Sequence, residues 1–346
     1  MLNVVSIGGG TGLACLLQGL KHNVLNPPIL EAPARKPWIS RLTAVVTVTD
    51  DGGSSGRLRD QLQMPPPGDI RSCLVALSAD ESLLSKLFQY RFPGTGGLQG
   101  HSFGNLFLTA LTGVTGDFLT AIRVSSEVLA IRGGIYPSTL EDVHLVATMD
   151  GGIRVRGESV ISKSSTRIRK IALSPRNCHP IPAVIQAIRN ADIITLGPGS
   201  LYTSLIPNLL VRGIVTEMRT SRALKVFIGN LMTQPGETTG LSAADHLEAI
   251  QEHARDRVFD VIILNQRAIS PSQIARYRKQ RSVSVASDHE RLRNLGLDIL
   301  ECDLLSQEKA VRHDPGRLAA AVHAAYARWK APAENRTLSI APAATG

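Results

Sequence analysis

Two adjacent carboxylates, Asp50 and Asp51, stand at the end of an apolar, β-branched run from Thr43 to Thr49 and before Gly52, Gly53, Ser54, Ser55, Gly56, Arg57 and Arg59. Neighbouring carboxylates are costly unless a metal, a cation or a base role uses them. The glycines permit close backbone approach to a ligand, and the hydroxyls and guanidiniums are donors suited to phosphate. Asp50 and Asp51 are therefore the candidate catalytic pair, with a flexible polar loop as the plainer reading. Asp69, in the segment Pro65-Pro66-Pro67-Gly68-Asp69-Ile70-Arg71, is a second carboxylate that could cap a helix, serve a ligand, or do both.

Two further stretches share one layout. Leu2–Ile7 is a short apolar strand running into Gly8-Gly9-Gly10-Thr11-Gly12, then Leu13, Leu16, Leu17 and Leu20 at helical spacing. Asp192–Leu196 runs likewise into Gly197-Pro198-Gly199-Ser200-Leu201-Tyr202-Thr203-Ser204. Strand, glycine turn and helix is the arrangement in which backbone N–H groups hold a phosphate. Leu13 stands where the dinucleotide fingerprint needs its third glycine, and no Lys-Ser/Thr follows for a Walker loop. Each turn alone is as well read as a plain tight turn. After the strand Leu224–Ile228, Asn230, Thr233 and Gln234 offer amides and a hydroxyl able to read a base or sugar. His101, Ser102 and Asn105 close a Gly/Pro-rich loop at the start of a helix, where capping competes with ligand contact.

These residues need a scaffold that gathers strand ends. The chain has 346 residues, 43% hydrophobic and 19% charged, enough for a large core. The β-loop-α recurrence predicts a Rossmann-like, doubly wound, mainly parallel sheet with helices on both faces, a three-layer α/β/α fold. A single domain over 1–330 is expected, with a β-hairpin insertion near 143–161 and a disordered tail over 331–346. Asn26 to Ile39 reads as a proline-rich loop, Ser72 to Leu87 as one helix, and Gly113 to Ile131 as a continuing helix. Lys163 to Lys170 reads as a basic surface strand and loop.

Bulk properties bound the function. No apolar run reaches the roughly 18 residues of a membrane span and no signal peptide is recognisable, so a cytoplasmic protein is expected. Cys15, Cys73, Cys178 and Cys302 form no C-x-x-C pair, which argues against a zinc site or a disulfide framework. A net charge of +9 raises nucleic acid as a partner, but aromatics are only 4% and the basic residues fall on no clear recognition helix. Anionic small molecules such as nucleotides account for the charge at least as well.

Eight segments in order, GGGTG, TDDGGSSGRLR, PPGDIR, HSFGN, the stretch Pro137–Ser159, LGPGSLYTSLIPNLLV, the loop from Asn230 and VRHDP, resemble the gluconeogenesis-factor (YvcK) branch of the CofD-like superfamily. The resemblance covers about Leu2 to Ala325. It implies a CofD-like α/β/α fold and a nucleotide-sugar site. Better-defined relatives are 2-phospho-L-lactate transferases, which use a guanosine diphosphate-type donor and a divalent metal; the resemblance implies Asp50 with Asp69 as the candidate metal pair and Mg2+ as the candidate ion. They carry an aromatic-containing loop where this chain has DGGSSGRLR and PPPGDIR. The YvcK branch implies instead a regulatory binder of UDP-sugars such as UDP-N-acetylglucosamine, affecting carbon metabolism, cell shape and cell-wall synthesis. Its partners would be proteins of the cell-wall or metabolic machinery, and a homo-oligomer stays open. By matching motif, Gly9, Gly10, Thr11, Gly12, Leu13, Gly199, Ser200, Leu201 and Thr203 are the expected phosphate and nucleotide contacts. Asn230, Thr233 and Gln234 would face base or sugar, Arg312 the diphosphate, and Tyr277 the sugar or ring, unless Tyr277 is simply a surface aromatic. His101, Ser102 and Asn105 are the expected loop contacts.

Overall fold

The computed structural model describes residues 1–25, 36–79 and 83–331. Most of the Asn26–Ile39 loop and all but the first residue of the expected tail lie outside these. Among the described residues ten strands are formed: β1 Leu2–Gly8, β2 Ile39–Val46, β3 Gly134–Pro137, β4 His144–Met149, β5 Arg154–Arg156, β6 Ile168–Ser174, β7 Ile193–Leu196, β8 Leu224–Ile228, β9 Val261–Asn265 and β10 Asp298–Cys302. Seven of them build one sheet in the order β10-β9-β8-β7-β1-β2-β3. Every neighbouring pair in it is parallel.

A parallel sheet is buried on both faces, which is why its strands are continuous apolar runs rather than alternating ones. Val5, Ile7, Val45, Ile194, Leu196 and Phe227 point into one core and Val4, Ala44, Val46, Ile193, Val226 and Ile228 into the other. Helices Gly10–Leu20, Gly68–Leu77 and Pro315–Lys330 cover the second face. Helices Pro182–Arg189, Ile214–Thr220 and Ala243–Ala254 cover the first, together with a small antiparallel sheet in the order β5-β4-β6. The expected three-layer α/β/α fold is therefore present.

The structure redraws several boundaries. The expected hairpin is β4 with β5, and the basic Lys163–Lys170 stretch leads into the third strand β6, whose Ile168, Ile171 and Leu173 face the core. Helix Gly68–Leu77 starts earlier than expected and stops at Ser78, whose hydroxyl donates to Leu129 O; a separate helix spans Leu83–Gln89. Gly116, at φ 74°, ends helix Phe103–Thr115, and the Asp117 side chain caps a new one, Phe118–Val128. The residues after Asp51 are not a loop: Gly53–Leu62 is a helix that buries Ser54, Ser55 and Arg59. Arg59 pairs with Asp142 and donates to Val143 O at 2.6 Å, so most of its fork is used inside the protein.

Helix Gly10–Leu20 crosses helix Pro315–Lys330 at Gly19, where a built Cβ would stand 1.8 Å from Pro315 O. Gly19→Ala must part these backbones and is expected to cost about 1–3 kcal/mol, the range for overpacking. Gly113, exposed within helix Phe103–Thr115, has nothing within 4 Å of a built Cβ. Gly113→Ala should be neutral or stabilising by about 0.5–1 kcal/mol through helix propensity. Urea midpoints of the two variants check this; equal midpoints would contradict the crossing as described.

Candidate functional site

In a doubly wound sheet, the place where successive connections part to opposite faces opens a crevice at the carboxyl ends of the strands. Here that place lies between β1 and β7. The helix after β1 packs its Leu13, Leu16 and Leu17 into one core, and the π-helical turn Leu201–Leu205 after β7 packs Leu201, Tyr202 and Leu205 into the other. The two glycine turns meet at this point. A Cβ built on Gly12 would lie 2.2 Å from Pro198 O, and one on Gly9 would lie 2.6 Å from Asp69 Oδ2. Only glycine allows both approaches.

A cleft of about 890 Å³ opens over the two turns. Of the residues expected to hold phosphate, Gly9, Gly10, Thr11, Gly12, Gly199 and Ser200 line it. Asn230, Gln234, Tyr277 and Arg312 line it as well, so four distant segments converge. Asn230 clasps the second turn: its Nδ2 donates to Gly199 O at 2.8 Å and its Oδ1 accepts from Gly199 N at 3.2 Å. Gln234 Nε2 donates to Ser200 Oγ at 2.8 Å, while its Oε1 is buried with no partner. The Tyr277 phenol accepts from Val311 N at 3.1 Å, tying helix Pro271–Arg278 to the segment that carries Arg312.

Other expected residues are placed elsewhere. The side chains of Leu13 and Leu201 are in the core. The Tyr202 and Thr203 N–H groups donate to Glu237 Oε1 at 2.7 and 3.1 Å, so the second turn already carries an internal carboxylate. Thr233 accepts from Val283 N on its hydroxyl and from Ser282 Oγ on its carbonyl, which makes it a loop anchor. His101, Ser102 and Asn105 are buried behind the cleft wall, where Asn105 Oδ1 accepts from Arg71 Nε at 3.0 Å.

Sequence reasoning missed Lys21, Lys86, Glu158 and Glu237, and left Arg71 without a role. Lys21 and Lys86 line the cleft at helical positions that carry no motif; Lys21 Nζ donates to Ser78 O at 2.9 Å. Arg71 lines it too, and the only signal in the sequence was its place two residues after Asp69.

The carboxylates form a wall beside the first glycine turn, outside the cleft lining: a Cβ built on Gly9 would meet Asp69 Oδ2, and one on Gly68 would lie 2.8 Å from Asp50 Oδ2. Asp51 Oδ1 accepts from Ser159 N at 2.7 Å and Asp50 Oδ1 from Gly52 N at 2.9 Å. Burial, then the Asp50 charge, push Asp69 up to about 6 despite a hydrogen bond from Gly10 N–H. Burial and the charges of Asp50, Asp69, Glu237 and Asp51 push Glu158 up to about 9. Burial pushes Glu237 up to about 7 against its two backbone donors. Crowded carboxylates of this kind take up protons or a cation. Among the described residues no group of three or more His, Cys, Asp or Glu side chains is arranged to hold a metal ion. Asp50 and Asp69 could supply at most a partial set, which fits Mg2+ held jointly with ligand phosphates rather than in a protein cage. Bound there, the ion would neutralise phosphate charge.

Among the described residues no helix is long and apolar enough to cross a membrane. Comparison with known proteins places this geometry in a family. Residues 4–305 match the family described as 2-phospho-L-lactate transferase CofD. The chain is 48% identical to a putative gluconeogenesis factor of Nostoc sp., over 91% of this chain and 67% of that protein. It is 44% identical to the gluconeogenesis factor of Bacillus subtilis, over 91% and 95%. A solved structure of a Bacillus halodurans protein superposes with a TM-score of 0.86 at 44% identity, covering 93% of this chain and 99% of that one. With this sheet order, this switch-point cleft and these relatives, the chain belongs to the CofD family, among its gluconeogenesis factors.

Proposed function

We propose that the protein is a regulatory binder of a nucleoside diphosphate sugar, a UDP-sugar such as UDP-N-acetylglucosamine, affecting carbon metabolism and cell-wall synthesis. The observation that carries this reading is the convergence, in one cleft, of two glycine turns with Arg312, Arg71, Lys86, Tyr277 and Gln234. The turns allow a diphosphate to approach the backbone, the cations match its charge, and Gln234 Oε1, unpartnered, is an acceptor for a base or sugar N–H or hydroxyl. A protein working on a cytoplasmic metabolite of this class fits the same chemistry. A single CofD-like domain over 1–330 would carry every lining residue of this cleft.

The transferase reading of the wider family has one observation in its favour, the carboxylate wall of Asp50, Asp51, Asp69 and Glu158. Asp50 or Asp51 would activate an acceptor hydroxyl, and Mg2+ would offset phosphate charge. A binder has less use for such a wall.

Titration with UDP-N-acetylglucosamine, followed by thermal unfolding, separates the readings. Ligand at a hundredfold excess over Kd should stabilise the fold by about 2.7 kcal/mol. Arg312→Ala should weaken binding roughly tenfold to a hundredfold, the about 1.5–3 kcal/mol of a hydrogen bond to a charged group. Ligand recovered intact with and without Mg2+ supports the binder. Nucleotide release that vanishes in Asp50→Asn would replace it with the transferase.

The carboxylate wall also fixes a pH response. A carboxyl whose folded pKa is raised holds its proton more tightly folded than unfolded, so stability is greatest at low pH and is lost as pH rises. For Glu158 the window runs from its ordinary value of 4.5 to about 9, and Asp69 and Glu237 add in the same direction up to about 6 and 7. Glu158→Gln should therefore gain stability relative to wild type as pH rises from 5 to 9. Denaturant melts at both pH values measure it, and a parallel decline in the two proteins would refute the assignment.

A further inference from the structure

A buried polar chain runs from His101 to Arg71 in the cleft wall. Arg71 Nε donates to Asn105 Oδ1 at 3.0 Å, and its Nη2 to Ser72 Oγ at 3.2 Å. Ser72 Oγ donates onward to Gly68 O at 3.0 Å. Asn105 is itself fixed: its Nδ2 donates to Ser54 Oγ at 3.1 Å and its backbone N–H to Ser102 Oγ at 3.2 Å. Ser54 Oγ lies 2.9 Å from His101 Nδ1. Ser54, His101, Ser102 and Asn105 are each no more than 4% exposed.

The stem of Arg71 is confined as well. A Cβ built on Gly104 would stand 2.9 Å from both Cγ and Cδ of Arg71 and 2.7 Å from Phe88 O. The guanidinium is thus aimed before any ligand arrives. All its hydrogen-bond partners are neutral, and among the described residues no carboxylate oxygen lies within the 4.0 Å of an ion pair. A guanidinium has five N–H donors, and two bonds leave the rest of the fork for another acceptor. A half-buried cation with neutral partners is matched by an oxyanion, preferably one that takes the fork in a bidentate way.

We propose that Arg71 binds a phosphate oxyanion of the ligand and that Asn105, held by Ser54 and His101, is the positioning residue that orients its fork. This rests on the nucleotide reading of the cleft and deepens it. The residues expected to touch the ligand from the 101–105 segment act instead through Arg71. Affinity for the diphosphate then depends on Asn105, although Asn105 does not meet the ligand.

Calorimetric titration of the full chain with uridine, UDP and inorganic pyrophosphate tests this, using Arg71→Gln, Asn105→Asp and Asn105→Ala. Asn105→Asp keeps the side-chain shape but sets a carboxylate on Arg71 Nε. Arg71→Gln should weaken UDP and pyrophosphate roughly tenfold to a hundredfold and leave uridine within about twofold. Both Asn105 variants should show the same selective loss, smaller in size, and Asn105→Asp covers the case in which Asn105→Ala does not fold. Uridine and UDP falling together would mark a merely structural role and overturn the proposal. Wild-type binding indifferent to Arg71→Gln overturns it alone. A wild-type chain that binds none of the three ligands overturns the nucleotide reading and this proposal with it.

Discussion

Gly12 has no room for a side chain because the carbonyl of Pro198 lies where its Cβ would be. This contact joins the turn after β1 to the turn after β7 at the one place where the sheet reverses its winding. From there the chain moves outward through β2 and β3 on one side and through β8, β9 and β10 on the other. The later loops, with Asn230, Gln234, Tyr277 and Arg312, reach the cleft because each returns to the same carboxyl edge. Separating the two turns by even a methyl would move one wall of the cleft relative to the other, since packed backbones cannot absorb such a shift locally.

The layout of the fold was legible because buried parallel strands must be apolar on both faces. Leu2–Ile7, Leu224–Ile228 and the run before Leu264 announce themselves as mainly apolar, β-branched segments, each within a few residues of an observed strand. The helix over Gly53–Leu62 was not legible: two glycines, two serines and an aspartate carry low helix propensity, and the segment has no apolar stripe. It forms because Ser54 and Arg59 find partners in distant segments, Ser54 in His101 and Asn105 and Arg59 in the Asp142–Val143 pair. Tertiary hydrogen bonding overrides local preference there. The break at Ser78 escaped for the same reason, since it is set by Leu129 and Ile131, about fifty residues away in the chain.

Residues at the site divide along a similar line. Glycine turns were legible because their chemistry is local. The roles of Thr233, Asn230 and Asn105 were not, because polar side chains read from sequence as ligand contacts turn out to hold backbone or a neighbouring side chain. Asn230 spends both ends of its amide on Gly199, and Thr233 is enclosed by Ser282 and Val283. Conversely, Lys21 and Lys86 enter the cleft through helix geometry alone, with no motif around them.

The cleft lining carries more cations than carboxylates, with Glu308 its one acid among the described residues. Arg71, Lys86 and Arg312 lie on its lining, where a diphosphate would be met. Burial and the nearby charge of Asp50 raise the proton affinity of Asp69 and Glu158, so these carboxyls share a confined, poorly solvated space. Two carboxylates already occupy backbone donors of the glycine turns, Asp69 at Gly10 and Glu237 at Tyr202 and Thr203. A phosphate approaching these turns must therefore meet the remaining amides together with the side-chain cations, because the most inward N–H groups are already satisfied. That division of labour, backbone for the frame and arginine for the anion, makes the aim of a single guanidinium decisive for how tightly such a cleft holds its ligand.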